Sequence, residues 1–252
     1  MRSICFHPLV PDAPRWSFVW PVYDEALALP ESWSRLVRAA DALGESWECV
    51  AVDDGSRDGS VAWLAKLARD DDRMRVLGDG TNRGKGAALR AGVHAARGAR
   101  VVTMDVDLST DLELLPRVAE RLAAGGRFLY GDRRHPDSAL LVRQPALREN
   151  LGRGFAWLAR QLCIPGVRDG TCGFKAFEAA AGRALHSRTH SDGWAHDVEL
   201  FAAALELGIP AEPLPVRWSH RPGSKVRVPA AVLEAGADLW RIRARRMRGG
   251  YR

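Results

Sequence analysis

The stretch Trp47-Glu48-Cys49-Val50-Ala51-Val52-Asp53-Asp54-Gly55-Ser56 decides how this chain is read. A largely apolar run, closed by two acids and a tight-turn pair, is the pattern of a strand inside a covered sheet. A second such run, Ala99-Arg100-Val101-Val102-Thr103-Met104, ends in Asp105-Val106-Asp107. Trp16 to Trp20 and Met74 to Leu77 are shorter strand candidates. Helical spacing separates them, over Leu27 to Leu43, after Asp58 through Val61, Leu64, Ala65 and Ala68, over Gly84 to Arg97, and over Leu112 to Ala123. The alternation predicts an α/β fold, a doubly wound, mostly parallel sheet flanked by helices. Such sheets bind ligands beyond the carboxyl ends of their strands, where both acidic clusters fall.

The second half is less regular. Phe128 to Gly131, Gly173 to Phe177 and Glu212 to Trp218 are expected to be extended; Arg143 to Cys163 and Val198 to Leu207 are expected to be helical. Val228 to Met247 is expected to be a final basic helix. With no repeat, linker or clean boundary, residues 1–252 are expected to form one domain.

Composition narrows the function classes. The chain has 252 residues and a net charge of +6, with 46% hydrophobic and 27% charged residues, which excludes a disordered or collagen-like chain. No apolar run reaches the ~18 residues of a membrane-spanning helix, and the first residues lack a signal-peptide pattern. A cytoplasmic protein is expected. Cys5, Cys49, Cys163 and Cys172 are scattered, so reduced thiols and no zinc site are expected. Arg241, Arg243, Arg245, Arg246, Arg248 and Arg252 crowd the last twelve residues without an acid, which reads as contact with an anionic partner or as a solvated tail.

Three motifs bear on chemistry. Asp105 and Asp107, two apart on an extended segment, place both carboxylates on one side, where they repel unless a cation lies between them. Hard oxygens suit Mg²⁺ or Mn²⁺; the alternative is a strand end and a helix cap. Asp53 and Asp54 either accept hydrogen bonds from a base or ribose or serve a turn with Asp58. Asn82-Arg83-Gly84-Lys85-Gly86 fails the Walker A test, since Asp79 and Gly86 stand where Gly and Ser/Thr are needed. It fails the dinucleotide fingerprint at Leu89, yet leaves a lysine at a helix N-terminus facing a diphosphate.

In order along the chain, Pro21-Val22-Tyr23-Asp24-Glu25, Val52 to Ser60, Asn82 to Gly86, Met104 to Thr110, Gly131-Asp132-Arg133, Asp169 to Lys175, Gly193 to Glu199, Pro215 to Trp218 and Ser224-Lys225 make a set. Through these nine motifs the chain resembles family-2 glycosyltransferases of the GT-A fold, specifically the dolichyl-phosphate β-glucosyltransferases and their bacterial polyprenyl-phosphate relatives. The resemblance covers about residues 17 to 245. It implies a nucleotide-binding half (about 17–125), an acceptor-binding half (about 126–228) and a basic C-terminal helix and tail (about 229–252).

The resemblance further implies an inverting, metal-dependent transfer of a hexose from a nucleoside-diphosphate sugar, foremost UDP-glucose, to a polyprenyl or dolichyl phosphate. Pro21, Tyr23, Glu25, Asp53, Asp54 and Asp58 would line the nucleotide pocket, with Asp53 or Asp54 reading the base. Lys85 would lie near the nucleotide, and Asp105 and Asp107 would hold Mg²⁺ or Mn²⁺. Arg133, Arg148, Ser224 and Lys225 would grip the acceptor phosphate, and Asp169, Trp194, Asp197 and Glu199 would face sugar or acceptor. The chain departs from the family pattern at Asp24 for Asn, Thr171 for Gln and His196 for Phe.

A phosphate acceptor needs no strong base, because its second pKa is about 6. A hydroxyl acceptor would need one, with Asp197 the first candidate and Asp169 the second; the competing reading has Asp169 bonding loop amides and Asp197 capping a helix. For a lipid acceptor, the Arg-rich final helix, with Leu239, Trp240, Ile242 and Met247 interleaved, would lie on an anionic membrane surface, unless those side chains pack on the catalytic domain. The protein would then be peripheral on the inner face of the cytoplasmic membrane. No nucleic-acid partner is expected. The rival readings are transfer to a soluble hydroxyl acceptor, a nucleotidyltransferase, and a non-enzymatic basic RNA- or membrane-binding module.

Overall fold

The computed structural model describes residues 13–221 and 228–252, except for the side chains of 147, 148 and 228–235. Strands β1 (Trp16–Val22), β2 (Trp47–Asp53), β3 (Met74–Leu77) and β4 (Arg100–Thr103) are parallel neighbours in the order β3-β2-β1-β4. Helices α1 (Leu29–Asp41), α2 (Ser60–Asp70) and α3 (Lys85–Ala95) connect them. Strand β2 is buried at every residue because both faces of the sheet are covered. Side chains alternate between those faces. Trp16, Phe18 and Trp20 of β1 pack with Leu29 and Leu36 of α1, Leu64 of α2 and Val118 of α4 (Leu115–Ala123). Val19, from the opposite face, packs with Leu89 and Val93 of α3.

The sheet continues through β7 (Lys175–Glu178), β5 (Phe128–Asp132) and β8 (Ala211–Pro215), seven strands in all. The expected α/β, mostly parallel doubly wound architecture is observed. The sequence reading has no strand at Ala139–Val142 and no helix at Ala179–His186, and two further details differ from it. Strand β7 runs antiparallel to both β4 and β5, which its apolar pattern does not reveal. The segment 212–218 is two strands, not one. β8 ends at Pro215, and β9 (Arg217–Ser219) leaves the main sheet to pair with β6 (Ala139–Val142) in a separate ribbon. Beyond Pro215 the Val216 amide donates to Ser138 Oγ at 2.9 Å and its carbonyl accepts the Ala139 amide at 3.0 Å, so the chain passes from one sheet to the other there.

Helices α5 (Ala146–Leu162), α6 (Ala179–His186), α7 (His196–Leu207) and α8 (Val228–Met247) enclose a second core around Phe128, Phe177 and Phe201. Leu239, Ile242 and Tyr251 are fully buried in that core. This corrects the expectation that the apolar residues of α8 face a membrane as a set. The arginines of the tail are largely consumed as well. Arg245 bonds Glu199, Arg246 and Arg252 bond Glu206, and Arg243 donates to the Leu162 carbonyl. Among the described residues no helix is long and apolar enough to cross a membrane. Cys49, Cys163 and Cys172 are free and buried.

Candidate active site

A cleft of about 430 Å³ opens at the carboxyl ends of β1, β2 and β4. The loop after β1 brings Pro21, Tyr23 and Glu25 to one wall. It is tied to the loop after β2, since Asp24 accepts the Arg57 amide at 2.6 Å, Ser56 Oγ accepts the Asp24 amide at 2.9 Å and Asp58 accepts the Ala26 amide at 3.0 Å. Asp58 also takes the Ser60 amide at 2.8 Å, so it braces this wall and starts α2. It is not among the residues lining the cleft.

The paired acids after β2 divide their work. Asp53 accepts the Gly55 and Ser56 amides and sits behind the surface. Asp54 lines the cleft and takes the Arg83 amide at 2.7 Å and the Gly84 amide at 2.9 Å. Burial pushes its carboxyl up, against the pull of those amides. Gly84, at φ +106, turns the chain into α3, and any side chain there would strike the Asp192 carbonyl. That carbonyl accepts the Gly86 amide at 2.6 Å, so the 190–194 loop sits on the first turn of α3 and carries Trp194 into the cleft.

Lys85 reaches across this junction. Its ammonium lies 2.5 Å from Asp105 and 5.1 Å from the centre of the Trp194 ring. Asp105 and Asp107 both line the cleft beyond β4. Burial would raise the Asp105 carboxyl, but the Lys85 charge outweighs it and holds the group below its ordinary range. Asp107 is pushed the other way, first by burial and then by the Asp105 charge, although the Ser109 amide donates to it at 2.9 Å. Gly173 lies against Asp105 so closely that an added Cβ would overlap a carboxylate oxygen.

Arg133 adds a cation to the lining. Arg133 lines the cleft and grips Asp169 with both arms, at 2.7 and 2.8 Å, while also donating to Thr171 Oγ1 at 2.9 Å. Its guanidinium lies 5.5 Å from the centre of the Trp218 ring. Burial works to raise the Asp169 carboxyl, but Arg133 overrides it and lowers it to about 2. Asp197 is paired in the same manner. Lys175 Nζ, itself buried, donates to it at 2.7 Å and to the Cys172 carbonyl at 2.7 Å. Neither Asp169 nor Asp197 is among the lining residues.

His196 packs beneath α3 against the His186 ring, 5.2 Å away, rather than on the cleft. Glu199 accepts the His190 and Ser191 amides and thereby anchors the 190–194 loop. Arg148 lies in α5 with its side chain outside the described residues, as are Ser224 and Lys225 altogether. Gln144, His220 and Arg221 also line the cleft and were not singled out from sequence. Gln144 stands in a loop with no local signal, while His220 and Arg221 directly follow the Pro215 to Trp218 motif.

The family model described as "Glycosyl transferase family 2" matches residues 17–181. The chain belongs to this family. The expectation of a sugar-transferring enzyme holds, and the readings as a nucleotidyltransferase or a non-enzymatic module fall. Human dolichyl-phosphate beta-glucosyltransferase is 32% identical over 260 residues, covering 97% of this chain and 80% of the relative. The enzyme of the same name from Drosophila melanogaster is 31% identical, covering 100% and 82%. Among solved structures, Mycobacterium tuberculosis glucosyl-3-phosphoglycerate synthase in complex with Mn²⁺, UDP-glucose and phosphoglyceric acid superposes with a TM-score of 0.65 at 18% identity, covering 92% and 80%. That likeness supports the shared fold of this family-2 glycosyltransferase.

Proposed function

We propose that this family-2 glycosyltransferase moves glucose, with inversion, from UDP-glucose to a polyprenyl phosphate, with Mg²⁺ or Mn²⁺ bound alongside the donor. The observation that carries the reading is that the pair Asp105 and Asp107 and the guanidinium-bearing Arg133 line one and the same cleft. The relatives named dolichyl-phosphate beta-glucosyltransferase support the sugar and the acceptor class.

The residues fit a divalent ion carried with the donor. Asp107, pushed up beside Asp105, is a carboxylate that gains from a shared cation. Among the described residues no cluster of three or more His, Cys, Asp or Glu surrounds it. Two acids suit an ion whose other ligands are phosphate and water oxygens. Bound there, the ion supplies charge neutralisation for the departing diphosphate.

The chain's own groups do the rest. Pro21, Tyr23 and Glu25 wall the nucleotide, and Asp54, on the cleft surface where Asp53 is not, faces the base. Lys85 is within reach of Asp105 and brings a positive charge toward the leaving group. Arg133, oriented by Asp169 and Thr171, stands against the acceptor phosphate, and Trp194 flanks the sugar. Asp169 and Asp197 both spend their charge on cations, Arg133 and the buried Lys175, which supports an acceptor that needs no base.

The test is product analysis. Incubation with UDP-glucose, Mn²⁺ and a polyprenyl phosphate should yield a prenyl-phosphate glucoside and UDP. Transfer to a soluble hydroxyl compound alone would overturn the acceptor. Asp105→Asn/Asp107→Asn should abolish Mn²⁺-dependent UDP binding in calorimetry; retained binding would overturn the donor site.

A further inference from the structure

Strand β6 is Ala139-Leu140-Leu141-Val142, and all four residues are exposed. Leu141 is 55% and Val142 51% exposed. Consecutive strand residues point to opposite faces, so both faces of β6 are partly open to solvent. The strand is nevertheless held in place. It pairs with β9 on one edge, and the Val142 carbonyl accepts the His220 amide at 3.0 Å. It also lies at the mouth of the cleft, because Trp218 and His220 of the paired segment and Gln144, two residues beyond β6, all line that cleft.

The apolar strand leads into a basic row. Arg143 donates to Glu149 at 2.7 Å, and Arg153 lies 3.3 Å from the same carboxylate, one turn further along α5. Trp157, another turn on, is 63% exposed, and Arg160 follows it at helical spacing. Residues 139–163 contain four arginines and one acid, a net charge of +3. Exposed aliphatic side chains, a solvent-facing tryptophan and arginines around a single acid are what the headgroup layer of an anionic bilayer accepts.

We infer that β6 and the exposed face of α5 dock this enzyme on an anionic membrane surface, with the cleft mouth turned toward the lipid. This rests on the lipid-phosphate reading of the acceptor and assigns the surface that meets the bilayer. The occupant is the membrane rather than a second copy of the chain, because the net positive charge of this segment would repel its own image while matching anionic headgroups. It also moves the contact away from the C-terminal run, where Arg245, Arg246 and Arg252 are paired with acids of the protein.

The experiment is flotation of the full chain with vesicles of phosphatidylglycerol and phosphatidylcholine, against phosphatidylcholine alone. Leu141→Asp/Trp157→Asp should keep the melting temperature and lower partitioning onto anionic vesicles by about tenfold or more. Arg153→Glu should weaken it and flatten its salt dependence. A double variant that binds vesicles as the wild type does would overturn the inference, as would size-exclusion data showing that these changes only split a dimer. Transfer to a short, water-soluble prenyl phosphate should survive in the double variant while transfer to a long-chain acceptor in vesicles falls. Wild-type protein that docks through this face but glucosylates no prenyl phosphate would sink the acceptor reading and leave the docking surface standing.

Discussion

Asp169 shows how one buried carboxylate sets the geometry of a cleft it does not line. It fixes Arg133 through three contacts, two from the guanidinium and one from the backbone amide. Asp169→Asn leaves the partly exposed Arg133 guanidinium without its buried counter-charge and should cost about 1–3 kcal/mol at neutral pH. Its folded pKa, about 2, lies below the ordinary carboxylate value. The stabilisation is therefore complete above about pH 4 and is lost as pH falls toward 2. Urea midpoints of wild type and variant should lie far apart at pH 6 and closer at pH 3; an unchanged gap would exclude this ion pair as the cause. Gly173 is the complementary case. Gly173→Ala forces Asp105 to move and should reduce Mn²⁺-dependent UDP affinity about tenfold while shifting the melting temperature little.

The 190–194 loop and the chain's C-terminus form a linked pair of elements. Glu199, on the first turn of α7, holds the loop by two amides and receives the Tyr251 hydroxyl at 2.8 Å and Arg245 at 2.5 Å on its other oxygen. Burial alone would raise this carboxyl, but the donors keep it below its ordinary range. The last turn of the chain thus reaches, through one carboxylate, the loop that places Trp194 over Lys85. Tyr251→Phe should cost about 1–3 kcal/mol. It should also raise the KM for the nucleotide sugar several-fold with kcat nearly unchanged. A fall in kcat with KM constant would place Tyr251 elsewhere in the mechanism.

Three apolar clusters share one seven-stranded sheet, in which β4 of the first half pairs with β7 of the second, so that the sheet runs unbroken across both halves. Neither half keeps a complete sheet without the other. Calorimetric and van't Hoff enthalpies should therefore agree in a single transition, and two resolved transitions would contradict the shared core. The same logic bears on the tail. Removing residues 239–252 takes away Leu239, Ile242 and Tyr251, all fully buried, so the truncated chain should lose its cooperative melt rather than merely a membrane contact. Arg248→Glu, at an exposed position, should leave the melt intact.

Local pattern was enough for the first four strands of the sheet. The strands ending at Asp53 and before Asp105 are apolar runs buried on both sides, and the acids that follow them fall at the strand ends by chain order alone. The architecture and the strand-end places of Asp54, Asp105 and Asp107 were legible in this way, whereas the family and the cleft positions of Tyr23, Lys85 and Arg133 came from the resemblance carried by the motifs. What could not be read were long-range pairings. Nothing near Lys175 says that it will neutralise Asp197, 22 residues away, nor does anything near Arg245 point to Glu199, 46 residues away. The direction of β7 and the division of 212–218 between two sheets depend on which strands lie alongside. An arginine run has the same sequence whether its charges meet lipid or a buried glutamate. Only the packed chain chooses, because the partners are brought together by burial of side chains far apart along the backbone.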